Sequence, residues 1–372
     1  MGSIFRKLVI WVHSGSGPLL RGLAKRLFKS RWLLQNPAYQ RFILNRVARI
    51  DDNVGALKPF ISIETILTCN ARCVMCVHGE QPMVGTMDEE LFRSIVDQAA
   101  AMGAKSVGLS IYGEPFADKN FVERVEYVRA KGLSYSLFSN GSLLREDRIK
   151  RMLDLGGFES INFSVNGFSK ESYEKVLPPL NREKVYGKIN DFLGWCLDHP
   201  GKKPFVRISC VGLDENRAEL KDYSDYWQSR PGVDHVLIAD QGDWLGEMKY
   251  GQSEDETAAT RGVKKEAWQS PCQSLWSSLY VYYDGRVSPC CEDAGARNLV
   301  IGDCSTETLA DIWQGHLVAS LRAQHRNNQR SCHETCGKCH WNQPWFKSPE
   351  VDAPAAAQDQ ETGSAPMPAP AE

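Results

Sequence analysis

Between residues 60 and 240 the chain alternates short apolar, β-prone runs with longer stretches of helical periodicity. The runs are FISIETILT (60–68), SVGLSIYG (106–113), SYSLFS (134–139), SINFSV (160–165), FVRISCVGL (205–213) and HVLIAD (235–240). Such runs suit strands buried on both faces of a sheet. Between them, residues 88–103, 120–132 and 146–156 carry helical patterns, and Gly103, Gly132 and Gly156 stand where helices commonly end. Six β/α repeats predict an α/β fold, a partial (β/α)6 TIM-type barrel whose chemistry lies at the C-terminal ends of its parallel strands.

After about residue 250 the alternation stops. LYVYYDGRVSP (279–289) reads as a β-hairpin turning at Asp284-Gly285, and residues 306–326 hold one helix. The far end is Pro, Ala, Gln and Glu with almost no large apolar residue, which predicts a disordered tail. The expected organisation is a basic helical segment over 1–55, a main α/β domain over 56–250, a small domain over 251–346 and the tail over 347–372.

Composition changes this picture at the N-terminus. Residues 1–50 contain ten Lys and Arg and no Asp or Glu, so the remainder carries 34 basic against 46 acidic residues, a balance of −12 within a total of −2. Residues 18–34, PLLRGLAKRLFKSRWLL, outline a basic amphipathic helix. Two readings stand side by side: a helix lying on an anionic membrane surface, and a helix packed on the protein with its basic face in water. Nucleic acid is disfavoured, because no binding motif accompanies the basic stretch. No apolar run approaches the ~20 residues of a membrane span, and the order of regions in a signal peptide is absent. The expectation is a cytoplasmic protein, with the inner membrane face as a peripheral location for the basic segment.

In that compartment the twelve cysteines point to metal rather than disulfides. Cys69, Cys73 and Cys76 form a C-x₃-C-x₂-C run directly after the first predicted strand. Three thiolates on one loop can each hold one iron of a [4Fe–4S] cube and leave the fourth iron open. Zinc is the main alternative, though closed zinc sites take four ligands and His78 is awkwardly close to Cys76 to be the fourth.

With Met75 before the third cysteine, this spacing resembles the signature of the radical S-adenosylmethionine superfamily. The resemblance implies that S-adenosylmethionine chelates the open iron of a catalytic [4Fe–4S] cluster. Its reductive cleavage by a low-potential donor of flavodoxin or ferredoxin type then yields a 5′-deoxyadenosyl radical that abstracts a substrate hydrogen. Gly113-Glu114-Pro115 resembles the family's Gly-Gly-Glu element at the methionyl amine, with Tyr112 in place of the first glycine. Ser139-Asn140-Gly141 resembles its Ser/Thr-Asn-Gly element near the cofactor, and Ser164 and Asn166 lie where members contact the ribose.

Further along, Cys272, Gly285 and Cys290 follow the pattern C-x₁₂-G-x₄-C, and Cys336 and Cys339 form a C-x₂-C pair. This resembles the SPASM iron–sulfur domain in its shortened one-cluster form. The resemblance implies an auxiliary [4Fe–4S] cluster on these four cysteines, with Cys291 and Cys332 as candidate substitutes; the spacing alone fits zinc equally. Cys196, Cys210 and Cys304 read as packed thiols.

Relatives of this kind oxidise sugars and aminocyclitols or modify peptides. The helical character of residues 1–55 favours a small molecule or saccharide over a leader-bearing peptide. A non-catalytic iron–sulfur or zinc protein is the rival of another class. No catalytic residue is assigned: Arg207, Asp240 and Asp243 at late strands are equally well explained as solvated or ion-paired groups.

Overall fold

The structure, a computed structural model, describes residues 36–80, 83–242, 244–246, 270–293 and 297–339. The basic stretch 18–34, Asp243 and the C-terminal tail lie outside the described residues.

Among the described residues, nine strands form one sheet, in which the six strands of the β/α repeats lie side by side in chain order and three C-terminal strands continue it beyond the first. β1 (Phe60–Ile63), β2 (Ser106–Gly108), β3 (Ser134–Ser139), β4 (Phe158–Ser164), β5 (Phe205–Gly212) and β6 (His235–Asp240) run parallel. Their residues Ile61, Val107, Tyr135, Ile161 and Val206 are buried, as strands covered by helices require. The first two strands are shorter than predicted. Past Ile63 the backbone turns, with Thr65 N–H bonding the Ile63 carbonyl, and an isolated Ile66–Thr86 bridge follows.

The crossover helices fall where the periodicity placed them: Glu89–Ala101, Phe121–Ala130 and Glu146–Leu155. Gly103, Gly132 and Gly156 follow them with φ of 79°, 77° and 64°, values that only glycine adopts freely.

The C-terminal part is not a separate layer. β7 (Ser278–Val281) pairs in parallel with β1, in register from Phe60↔Ser278 to Ile63↔Val281, and continues antiparallel into β8 (Arg286–Ser288) and β9 (Gly302–Asp303). The hairpin turns at Asp284-Gly285 as predicted, with Gly285 at φ 92°. The single helix expected over 306–326 is two, Leu309–Gln314 and His316–Arg326. The cause is Gly315, which is extended at φ −65°, ψ 160° and ends one helix while it begins the next.

α1 (Pro37–Asp51) starts on Asn36, whose Oδ1 accepts from the N–H groups of Ala38 (2.9 Å) and Tyr39 (3.3 Å), with Pro37 in the first turn. It buries Tyr39, Ile43 and Val47. At its C-terminal end, Asp51 accepts from Trp276 Nε1 (2.8 Å) and pairs with Arg326 (2.6 Å). α1 is thereby fastened to the C-terminal elements. Among the described residues, no helix is long and apolar enough to cross a membrane.

Candidate active site and auxiliary cluster site

Four strand ends converge at one rim of the sheet. The segment after β1 carries Cys69, Cys73 and Cys76, all partly buried. Burial pushes the Cys69 thiol up to about 11 and those of Cys73 and Cys76 upward, and at Cys73 the other two thiols add to the effect. Thiols so close and so poorly solvated stay protonated until a cation displaces the protons.

Glu114, after β2, is buried and accepts three hydrogen bonds: from Ser139 Oγ (2.8 Å), Asn140 N–H (2.7 Å) and Phe116 N–H (3.3 Å). Burial outweighs these donors and lifts its carboxyl to about 7. Asn140 in turn donates to Asn70 Oδ1 (3.0 Å), lies 3.9 Å from Cys69 Sγ, and accepts from Ser142 N–H (2.9 Å). The Glu114 and Ser139-Asn140-Gly141 elements thus lock each other and the cysteine loop. Gly113 packs against that loop so closely that a Cβ would lie 2.0 Å from the Ile66 carbonyl oxygen.

The remaining sequence candidates spread along the rim. Met75 is buried, and its carbonyl accepts from Trp244 Nε1 (2.8 Å). Ser164 ends β4. Asn166 is buried with its side-chain oxygen taken by Val211 N–H (2.8 Å), so that oxygen ties β4 to β5. His78 is buried with neither ring nitrogen hydrogen-bonded. Burial, Arg72 and Arg297 push it down to about 4. Arg207 is buried within β5, and Asp240 ends β6.

The second thiol set is drawn together from three elements. Cys272 precedes the 3-10 turn Gln273–Trp276, Cys290 follows β8, and Cys336 and Cys339 flank the end of the helix Glu334–Lys338. All four line one space, together with Arg330 and Thr335. Cys291 and Cys332 are exposed and do not line it, and Cys196, Cys210 and Cys304 are buried elsewhere. Four thiols on one space are the donor set of a [4Fe–4S] cluster and equally of a structural zinc site.

Two contacts missed by sequence reasoning join the two thiol sets. Glu64, just past β1, is fully buried and accepts from Arg297 Nη2 (3.0 and 3.2 Å) and Tyr283 N–H (3.1 Å). Arg297 also stacks 4.2 Å over the Tyr282 ring. Tyr112, at the position of the family's first glycine, donates from its hydroxyl to the Cys291 carbonyl. Its ring meets Trp244 edge-on at 5.6 Å. A signal for the first contact existed: a carboxylate inside an apolar run must be paired if buried. Its partner, 233 residues away, was not legible.

The family model of the Radical SAM superfamily matches residues 63–226, and that of the SPASM iron–sulfur cluster-binding domain matches residues 272–340. The chain belongs to the radical SAM superfamily, whose enzymes use a [4Fe–4S] cluster and S-adenosylmethionine. Within it, this is a member with a C-terminal SPASM domain and the auxiliary iron–sulfur centre that domain implies.

It is 23% identical over 288 residues, 68% of this chain and 80% of the relative, to the tungsten-containing aldehyde ferredoxin oxidoreductase cofactor-modifying protein of Pyrococcus furiosus. It is 21% identical over 291 residues, 76% of this chain and 93% of the relative, to the S-adenosyl-L-methionine-dependent 2-deoxy-scyllo-inosamine dehydrogenase of Niallia circulans. Its fold is similar to that of Streptococcus suis SuiB bound to the precursor peptide SuiA, with a TM-score of 0.59 at 13% identity over 84% of this chain and 78% of that one.

Proposed function

We propose that this enzyme oxidises a small molecule or saccharide at the rim of the barrel. In this reading Cys69, Cys73 and Cys76 hold the catalytic cluster, while Cys272, Cys290, Cys336 and Cys339 hold an auxiliary one. Bound there, the catalytic cluster with S-adenosylmethionine supplies hydrogen-abstraction chemistry, and the auxiliary cluster supplies an acceptor for the electron left behind.

The residues around the first site do the positioning. Gly113 lets the Glu114 element sit flush against the cysteine loop. Ser139 and Asn140 orient the Glu114 carboxylate toward the methionyl amine that the family resemblance assigns to it. Trp244 clamps the backbone of Met75.

The observation that carries the reading is the pairing of β1 with β7. It puts the strand leading to the first thiol set beside the strand between two residues of the second, and the buried Glu64–Arg297 pair fixes that junction. An electron acceptor needs such a rigid link to the place where the electron is released. The similarity to a dehydrogenase over 93% of its length supports the same direction.

The test is anaerobic reconstitution with iron and sulfide, then S-adenosylmethionine and dithionite. The expected result is about eight irons per chain, as two four-iron clusters give, with formation of 5′-deoxyadenosine. Cys73→Ala abolishes that product. Cys272→Ala lowers the count to about four and leaves cleavage intact. A fully loaded wild-type chain that forms no 5′-deoxyadenosine overturns the enzyme reading in favour of a non-catalytic metalloprotein.

A further inference from the structure

Arg330 is 4% exposed and lines the space shared by Cys272, Cys290, Cys336 and Cys339. Its Nη1 donates to the Ser270 carbonyl (3.0 Å), while its Nε is buried without an acceptor. Among the described residues no carboxylate lies within ion-pair distance of it. Arg297 pairs with Glu64, while Arg322 donates to the carbonyls of Leu275 and Trp313 (both 2.9 Å), stacks 4.2 Å from the Trp313 ring and keeps its Nη2 without a partner; of the three, Arg330 alone lines the thiol space.

A guanidinium does not give up its proton, and a buried charge with no counterion costs several kcal/mol by the usual order of magnitude. An anion held by the four thiolates would face this guanidinium across the space they share and supply the missing counterion.

We propose that Arg330 is the built-in countercharge of the auxiliary cluster and that it raises the reduction potential of that cluster relative to one in a neutral pocket. Four thiolates around a [4Fe–4S] core make an anion whose charge grows on reduction, so a fixed cation beside it favours the reduced form. The inference rests on the reading of the four cysteines as auxiliary ligands and deepens it: Arg330 biases the site toward accepting an electron.

The test is an EPR-monitored redox titration of the reconstituted full chain, comparing wild type with Arg330→Gln and Arg330→Lys. Arg330→Gln moves the auxiliary midpoint to more negative potential. Arg330→Lys keeps most of the wild-type value, and the radical cluster's midpoint stays fixed in both. An Arg330→Gln chain with full iron and an unmoved auxiliary midpoint overturns the inference alone. If Arg330→Gln loses about four irons, retention of those irons by Arg330→Lys supports the charge, and loss in both variants overturns it. A wild-type chain carrying zinc at these cysteines overturns the ligand reading, and the inference falls with it.

Discussion

Gly113 has no room for a side chain, because a Cβ there would meet the Ile66 and Leu67 backbone on the cysteine loop. Overpacking against fixed backbone costs about 1–3 kcal/mol, so Gly113→Ala lowers the unfolding midpoint and displaces the loop. The iron content of the first site should fall while that of the second persists. Its neighbour Glu114 gives a pH-dependent prediction. The folded chain raises this carboxyl from 4.5 to about 7, so folded Glu114 holds its proton more tightly than unfolded Glu114. Its contribution to stability is full below pH 4.5 and is lost as pH rises through about 7. In the proposed reading the cationic amine of S-adenosylmethionine docks on ionised Glu114, so its affinity rises across that same window and levels off above it. Equilibrium dialysis of the reconstituted protein from pH 6 to pH 8 (roughly one unit either side of that value) checks this, and Glu114→Gln should flatten the curve. The positions of Gly113, Glu114, Ser139 and Asn140 at strand ends were legible from motif and alternation together. Their mutual hydrogen bonds were not, because they join residues about 25 positions apart through a sheet register that periodicity does not fix.

At the scale of elements, the repeats were read well because buried parallel strands and amphipathic helices differ in period. The misreadings have local causes. Gly315 divides one helix into two without a proline or a charge break. The strand leading to Cys69 ends early at Ile63, since the following residues turn to place Glu64 against Arg297. That pair supports a stability prediction. Arg297→Met leaves a buried carboxylate without its partner, a change that costs about 3–5 kcal/mol. Glu64→Leu with Arg297→Met should recover a large part of the loss, and denaturant unfolding of the four species of the cycle measures the recovery. α1 offers a milder case. Asp51→Ala removes the acceptor of Trp276 Nε1 and the partner of Arg326, a loss of about 1–3 kcal/mol. It should loosen the helix from the C-terminal elements first, visible as faster amide exchange over Pro37–Asp51.

At the scale of the whole molecule, the chain contains two thiol sets served by one continuous nine-stranded sheet. The sequence marked both sets and the boundary in pattern between them. It did not reveal that the hairpin of the second set lies beside the first strand of the barrel, since strand order is a property of non-local pairing. That junction also limits how the protein can be divided. A chain ending before the hairpin would leave β1 as an open edge, with the N–H and C=O groups of Phe60–Ile63 that now pair with β7 facing solvent. Unpaired, flat and apolar edges recruit strands from other molecules. The SPASM region therefore also acts as the edge guard of the catalytic core, and a truncated core should associate through β1 even where its own iron site is intact.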